Sequence, residues 1–140
     1  MYCPRLKHFV RLNKNGSIGK CGHMVNALGF ETFDELEKSD WLKQLKDTMS
    51  QDKWPEECVR CSDTEKVSGE SVRTKSIDRH KVLHPIKEDY LVVGGVLDNI
   101  CNSACQTCNA GLSTKIGSLE TKNYKRINNY ETFWKLPQHR

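Results

Sequence analysis

The stretch Tyr90-Leu-Val-Val-Gly-Gly-Val-Leu97 has no charged side chain, and Cys101-Asn-Ser-Ala-Cys105-Gln-Thr-Cys108 begins shortly after it. A short apolar run of this kind is typical of a strand covered on both faces in a parallel sheet. Three thiols on the following loop can bind three irons of a cubane cluster from one side. A structural zinc ion needs a fourth ligand, and the nearest histidines are His84 and His139. The spacing therefore favours an iron–sulfur cluster with one open iron.

This C-x3-C-x2-C motif after an apolar strand resembles the signature of the radical SAM superfamily. The resemblance implies that Cys101, Cys105 and Cys108 hold a 4Fe–4S cluster and that S-adenosylmethionine (SAM) binds at its open iron. It also implies reductive cleavage of SAM, which starts radical chemistry, an external electron donor and an unidentified substrate, with peptides among the candidates. Thr107 occupies the family position beside the adenine, where an aromatic or apolar residue is usual, and belongs to the expected SAM site.

A second group of cysteines lies in the first half of the chain: Cys3, Cys21, Cys58 and Cys61. Four thiolates complete either a zinc tetrahedron or an iron–sulfur cluster, and chemistry alone leaves both metals open. Cys58 and Cys61 form a C-x2-C chelating pair. Asn15-Gly16 is a strong hairpin signal, and this hairpin is expected to bring Cys3 and Cys21 to the same end.

Two other side chains near these cysteines are weighed as ligands or partners. His23 follows Cys21 by two residues and is an alternative metal ligand, although a surface position is the default for a histidine. Arg73 is a candidate partner for an acidic cofactor group, with a solvated helix face as the default.

The first half of the chain resembles the twitch and SPASM domains of radical SAM proteins. The matching features are Cys3-Pro4, the Trp41-Leu42 helix, Pro55-x2-Cys58-x2-Cys61 and the polar run from Cys61 to Arg73. Those domains hold auxiliary clusters, so the resemblance implies a second iron–sulfur cluster, with zinc as the alternative. They usually follow the barrel, and a module ahead of it is an order of some phage and metagenomic proteins. A cytoplasmic location is implied, in the host cytoplasm if the protein is phage-encoded.

The patterns together predict an α/β fold in two units. Residues 1–80 are expected to form a small cysteine-rich hairpin-plus-helix module of the twitch or SPASM type. Residues 88–140 are expected to form the first strand–loop–helix unit of a partial (β/α) barrel. In the family a Gly-Gly-Glu run on the next strand contacts SAM, and none follows Cys108. The chain is therefore expected to be a fragment of a longer enzyme.

Local signals predict the elements of the first unit. Alternating apolar and polar residues from Arg5 to Leu12 indicate a strand. Thr32 and Ser39 are predicted N-caps of two helices, and Ser62 of a third that runs to about Arg79. The stripe of the second helix is predicted to be core: Trp41, Leu42, Leu45 and Met49.

Composition argues against a disulfide-bonded, a membrane-spanning and a nucleic-acid-binding protein. Seven cysteines are an odd number, and the start of the chain has no apolar signal segment, so reduced thiols are expected. No stretch approaches the ~20 apolar residues of a membrane helix. The net charge of +4 is spread along the chain and does not favour nucleic acid as a partner. The alternative function is a non-catalytic zinc- or iron–sulfur-binding module that contacts nucleic acid or protein, or transfers electrons.

Overall fold

The structure is a computed structural model that describes residues 1–99 and 127–137 as a mixed α/β fold. The helices are α1 (Arg5–His8), α2 (Phe33–Glu37), α3 (Asp40–Ser50), α4 (Val59–Ser68), α5 (Val72–Leu83) and α6 (Tyr130–Trp134). The strands are β1 (Phe9–Leu12), β2 (Ile18–Gly19) and β3 (Val92–Gly95). Within these two ranges no helix is long and apolar enough to cross a bilayer. Cys101, Cys105, Thr107 and Cys108 lie outside the described residues, so their roles stay predictions.

The three strands form one sheet in the order β2-β1-β3. The Asn15-Gly16 turn joins β1 to β2 as an antiparallel hairpin, with Leu12 opposite Ile18, and Gly16 has a φ of +84°. Strand β3 runs parallel to β1, from the pair Phe9–Val92 to the pair Leu12–Gly95. A parallel pair needs a long crossover connection, and helices α2 to α5 lie within it. The α/β class is confirmed, while the barrel unit stays a prediction.

The prediction of a strand from Arg5 to Leu12 is wrong in its first half, where the chain forms α1. Pro4 has a φ of −57° and precedes this helix, and its carbonyl oxygen accepts a hydrogen bond of 2.7 Å from the His8 amide. The predicted alternation nevertheless describes burial correctly. Every second residue of this stretch is buried, namely Leu6, His8, Val10 and Leu12.

The prediction of one helix from Ser62 to Arg79 is also wrong, because α4 and α5 are separate. Gly69 ends α4 in the left-handed conformation, with a φ of +74°, as is common after a helix. Ser71 then caps α5 by accepting hydrogen bonds from the amides of Arg73 and Thr74. Ser62 lies inside α4, so it is not an N-cap.

The helix caps predicted at Thr32 and Ser39 are confirmed. The Thr32 side chain accepts a hydrogen bond of 3.2 Å from the amide of Glu35, and that of Ser39 accepts one of 3.2 Å from Leu42. The stripe that follows on α3 is core, as predicted. Its inner members join a buried cluster with α1 and the cysteines: Leu6, Cys21, Met24, Leu42, Leu45, Met49 and Cys58.

Helix α5 is joined to the start of β3 by histidine and tyrosine rings. The His8 ring stacks on the Tyr90 ring at 4.2 Å, and its Nδ1 lies 2.9 Å from the Tyr90 carbonyl oxygen. His80, on α5, has its Nδ1 2.8 Å from the Tyr90 hydroxyl. These contacts hold α1, α5 and the entry to β3 as one packed group.

The close approach of β1 and β3 can be tested at Gly95. Its φ is +99°, and an added Cβ would collide with the carbonyl oxygen of Leu12. Gly95→Ala is expected to lower the free energy of unfolding by about 3 kcal/mol or more, from strain and overpacking together. Gly69→Ala is the matched control, because its φ is +74° and no atom lies within 4 Å. It is expected to cost about 1 kcal/mol, and equal losses in denaturant titrations would contradict the close approach.

Candidate metal centre

Cysteines from distant parts of the chain line one cavity: Cys3, Cys21, Cys58 and Cys61. Cys3 precedes α1 and Cys21 follows β2, while Cys58 and Cys61 lie at the start of α4. The last three are buried and Cys3 is half-buried. About 20 Å³ of the cavity is open to the centre of a water-sized sphere. The fold therefore brings the four cysteines of the first predicted site together.

The cysteine pair at α4 is positioned by the turn before it. Pro55 precedes a 3-10 turn, Glu56–Cys58, that leads directly into α4. Cys58 is thus the N-cap and Cys61 lies in the first helical turn, whereas the sequence placed Cys61 just before the helix. Residues three apart on a helix lie on the same face. Both sulfurs of the C-x2-C pair consequently reach the same cavity.

Glu57 connects this turn to the two neighbouring segments. Its carbonyl oxygen accepts a hydrogen bond of 2.9 Å from the Val25 amide, which lies shortly after Cys21. Its carboxylate accepts one of 3.0 Å from the Trp41 indole on α3. The loop after β2 and the start of α4 are therefore held side by side, and this brings Cys21 close to the C-x2-C pair.

The thiols affect one another electrostatically. Burial raises the pKa of Cys3 to about 11, and the neighbouring Cys21 and Cys61 contribute to the shift. Burial likewise raises the pKa of Cys58 to about 12, with contributions from the other three cysteines. Removing a thiolate from water is unfavourable without a compensating positive charge. The metal-free site therefore favours protonated thiols at Cys3 and Cys58.

Arg73 lies beside the cavity in a bidentate ion pair with Glu65. Its Nε and Nη2 donate hydrogen bonds of 2.9 and 2.8 Å to the Glu65 carboxylate, and Nη1 donates one of 2.9 Å to the Tyr2 carbonyl oxygen. These bonds hold down the pKa of the Glu65 carboxyl. The Arg73 side chain is only 15% exposed, so the expected solvated position is wrong. The pair fastens the segment of Cys3 to α4 and α5.

His23 and Arg5 complete the polar lining. His23 is half-buried rather than on the surface, and its backbone amide donates a hydrogen bond of 3.4 Å to the Cys21 sulfur. Arg5 donates one of 3.5 Å from Nη1 to the same sulfur. Sequence reasoning missed Arg5, because nothing but its closeness to Cys3 marked it.

The donor set fits a thiophilic metal. No carboxylate is among the described residues that line the cavity, and thiolate ligands select zinc, copper(I) or iron–sulfur clusters. Across residues 1–99 and 127–137, no group of three or more His, Cys, Asp or Glu side chains is placed so that it could hold a metal ion. Binding therefore requires that the thiols lose their protons and turn towards a common point.

Comparison of the chain with models of protein families, with curated proteins and with solved structures gave no match. What the chain binds is therefore inferred from its own side chains.

The raised thiol pKa values predict how the metal-free protein responds to alkali. A group whose pKa is raised on folding stabilises the fold at pH values below its ordinary pKa, which is near 9 for these thiols. That stability is lost as the pH rises towards the raised pKa, which is about 11 for Cys3 and about 12 for Cys58. With chelator and reductant present, each thiol is expected to contribute a loss of about 1 kcal/mol per pH unit above pH ~9. Denaturant titrations from pH 7 upward measure it.

Cys58→Ala is the informative variant, because it lowers stability at every pH but removes one thiol from the alkaline loss. Its free energy of unfolding is expected to fall less steeply above pH ~9 than that of the wild type. Parallel curves would contradict the burial of this thiol.

Proposed function

We propose that this chain belongs to a radical SAM enzyme. In this reading Cys101, Cys105 and Cys108 hold a SAM-binding 4Fe–4S cluster, and the four-cysteine cavity holds a second metal centre. The cluster supplies an electron for the reductive cleavage of SAM, while the protein binds, positions and shields the reactants. An external electron donor and a substrate, for which a peptide is one candidate, complete the reaction.

The observation that carries the proposal is the edge of the sheet from which the three-cysteine motif departs. Strands β1 and β3 are parallel and end together, with Leu12 opposite Gly95. In open α/β sheets, ligands bind beyond the carboxyl ends of parallel strands. The chain leaves β3 at this edge and continues to Asn99, the last described residue before the motif.

The residues on either side of the motif are bonded to each other at the same edge. Asn129 is 2% exposed, and its side-chain amide donates hydrogen bonds to the carbonyl oxygens of Asn13 and Val96, at 2.9 and 2.6 Å. The Ile127 amide donates one of 2.8 Å to the side chain of Asn99. The described residues on either side of the motif, Asn99 and Ile127, thus meet at the carboxyl edge of the parallel pair. This is the place where a SAM cluster is expected.

A second candidate function is a non-catalytic zinc-binding module. It is favoured by the four-cysteine cavity, whose described lining offers four thiols and no carboxylate. Four thiolates also complete the tetrahedron of a structural zinc. The two candidates differ in what the three-cysteine motif does.

Anaerobic reconstitution with iron and sulfide, followed by reduction and EPR spectroscopy, tests the proposed enzyme. Addition of SAM is expected to change the signal of one cluster. Cys105→Ser is expected to abolish this change, because it removes a ligand of that cluster. Cys58→Ser is the matched control at the other site and is expected to keep the SAM-dependent change.

Two other results of the same experiment would contradict the proposed enzyme. A colourless protein with stoichiometric zinc and no retained sulfide would support the non-catalytic module. A cluster signal that SAM leaves unchanged would contradict the radical SAM assignment, and it would favour electron transfer.

A further inference from the structure

Arg5 directs a guanidinium group at one of the four cysteine sulfurs. It is half-buried in α1, and its Nη1 donates a hydrogen bond of 3.5 Å to the Cys21 sulfur. Its Nε donates one of 2.9 Å to the Ser76 hydroxyl on α5. The central carbon of the guanidinium, Cζ, lies 4.3 Å from the centre of the Phe9 ring. None of these partners carries a negative charge while the thiol is protonated.

No described carboxylate forms an ion pair with Arg5. None of the ion pairs among the described residues includes Arg5. Arg73, which also lines the cavity, is by contrast paired with Glu65, because its Nε and Nη2 each donate a hydrogen bond to the Glu65 carboxylate. Because a guanidinium remains charged at every physiological pH, Arg5 places beside the sulfur of Cys21 a positive charge that no carboxylate of residues 1–99 and 127–137 pairs with.

A thiolate centre supplies the missing negative charge. Four thiolates exceed the charge of a divalent ion, so the loaded site is anionic inside a largely apolar cavity. An N–H donor on a charged group binds an anionic acceptor more strongly than a neutral one. We propose that Arg5 is a positioning residue of the four-cysteine centre, which orients the Cys21 sulfur and balances the negative charge of the bound metal site. This inference rests on the metal centre proposed above.

The surroundings of Arg5 hold its side chain in this orientation. Ser76 is buried, and its hydroxyl is fixed by donating a hydrogen bond of 2.7 Å to the Val72 carbonyl oxygen. The Phe9 ring is itself seated on β3, since a Cβ added to Gly94 would lie 2.7 Å from its edge. The guanidinium is therefore placed by α5 and by the sheet rather than by the sulfur alone.

Cobalt(II) binding under anaerobic conditions tests the role of Arg5. All variants are made in the full chain with Cys101, Cys105 and Cys108 replaced by serine, so that only the first site offers several thiolates. The thiolate-to-cobalt charge-transfer absorption reports both affinity and the electronic state of the sulfurs. Loss of an outer partner of a metal ligand typically weakens binding by 10–100-fold.

Arg5→Gln is expected to weaken cobalt binding by about tenfold or more and to shift the charge-transfer band. The shift follows because loss of the N–H···S bond makes the sulfur a stronger donor. Arg5→Lys keeps the charge but not the fork, so a smaller loss is expected. Arg60→Gln is the matched control, because Arg60 is exposed beside Cys61 and its substitution removes the same charge. Its affinity for cobalt is expected to stay within about twofold of the parent.

Ser76→Ala covers the case in which Arg5→Gln does not fold. It frees the guanidinium from α5, and a band shift in the same direction with a smaller loss of affinity is expected. The role of Arg5, but not the metal centre, would be overturned if Ser76→Ala and every Arg5 variant that folds kept the affinity and the band position of the parent. An equal loss of affinity in Arg60→Gln would overturn it as well. Absence of a charge-transfer band in the parent chain would instead overturn the metal centre itself, and with it this inference.

Discussion

The parallel pairing of β1 with β3 is the interaction on which the rest of the structure depends. It joins residues more than eighty positions apart, from the pair Phe9–Val92 to the pair Leu12–Gly95, and it forces the intervening helices to cross over the sheet. The amino end of β1 continues into α1 and Cys3. The carboxyl end of β3 continues towards the three-cysteine motif. Cys3, of the first cysteine group, is therefore attached to the amino end of this pair of strands.

Buried thiols and one unbalanced arginine define the chemistry of the first group. Burial alone makes thiolates unfavourable, and the raised pKa values of Cys3 and Cys58 express this cost. A thiophilic cation at the cavity reverses the balance, because it replaces water as the partner of the sulfurs. Arg5 adds a fixed positive charge on the same side. The pocket is thus poor for free anionic sulfur, and the proposed metal centre would offset this cost.

Signals confined to a few residues predicted the local structure well. The caps at Thr32 and Ser39 and the turn at Asn15-Gly16 depend only on neighbouring side chains and backbone, and all three are present. Predictions failed where two local readings compete. The alternation before Leu12 fits a strand, yet Pro4 is compatible with a helical turn and packing selects it. The single helix predicted from Ser62 to about Arg79 is interrupted by Gly69, which ends α4.

The sequence by itself determined the cysteine spacings, the caps at Thr32 and Ser39 and the α/β class, because each follows from patterns of residues close together in the chain. Only the tertiary structure decided that Cys3 and Cys21 meet the Cys58–Cys61 pair in one cavity, and that Arg5 is the side chain that faces a sulfur. Such contacts depend on how α3 and α5 pack against the sheet. No local pattern carries that information, since a contact between distant segments is set by the whole buried core.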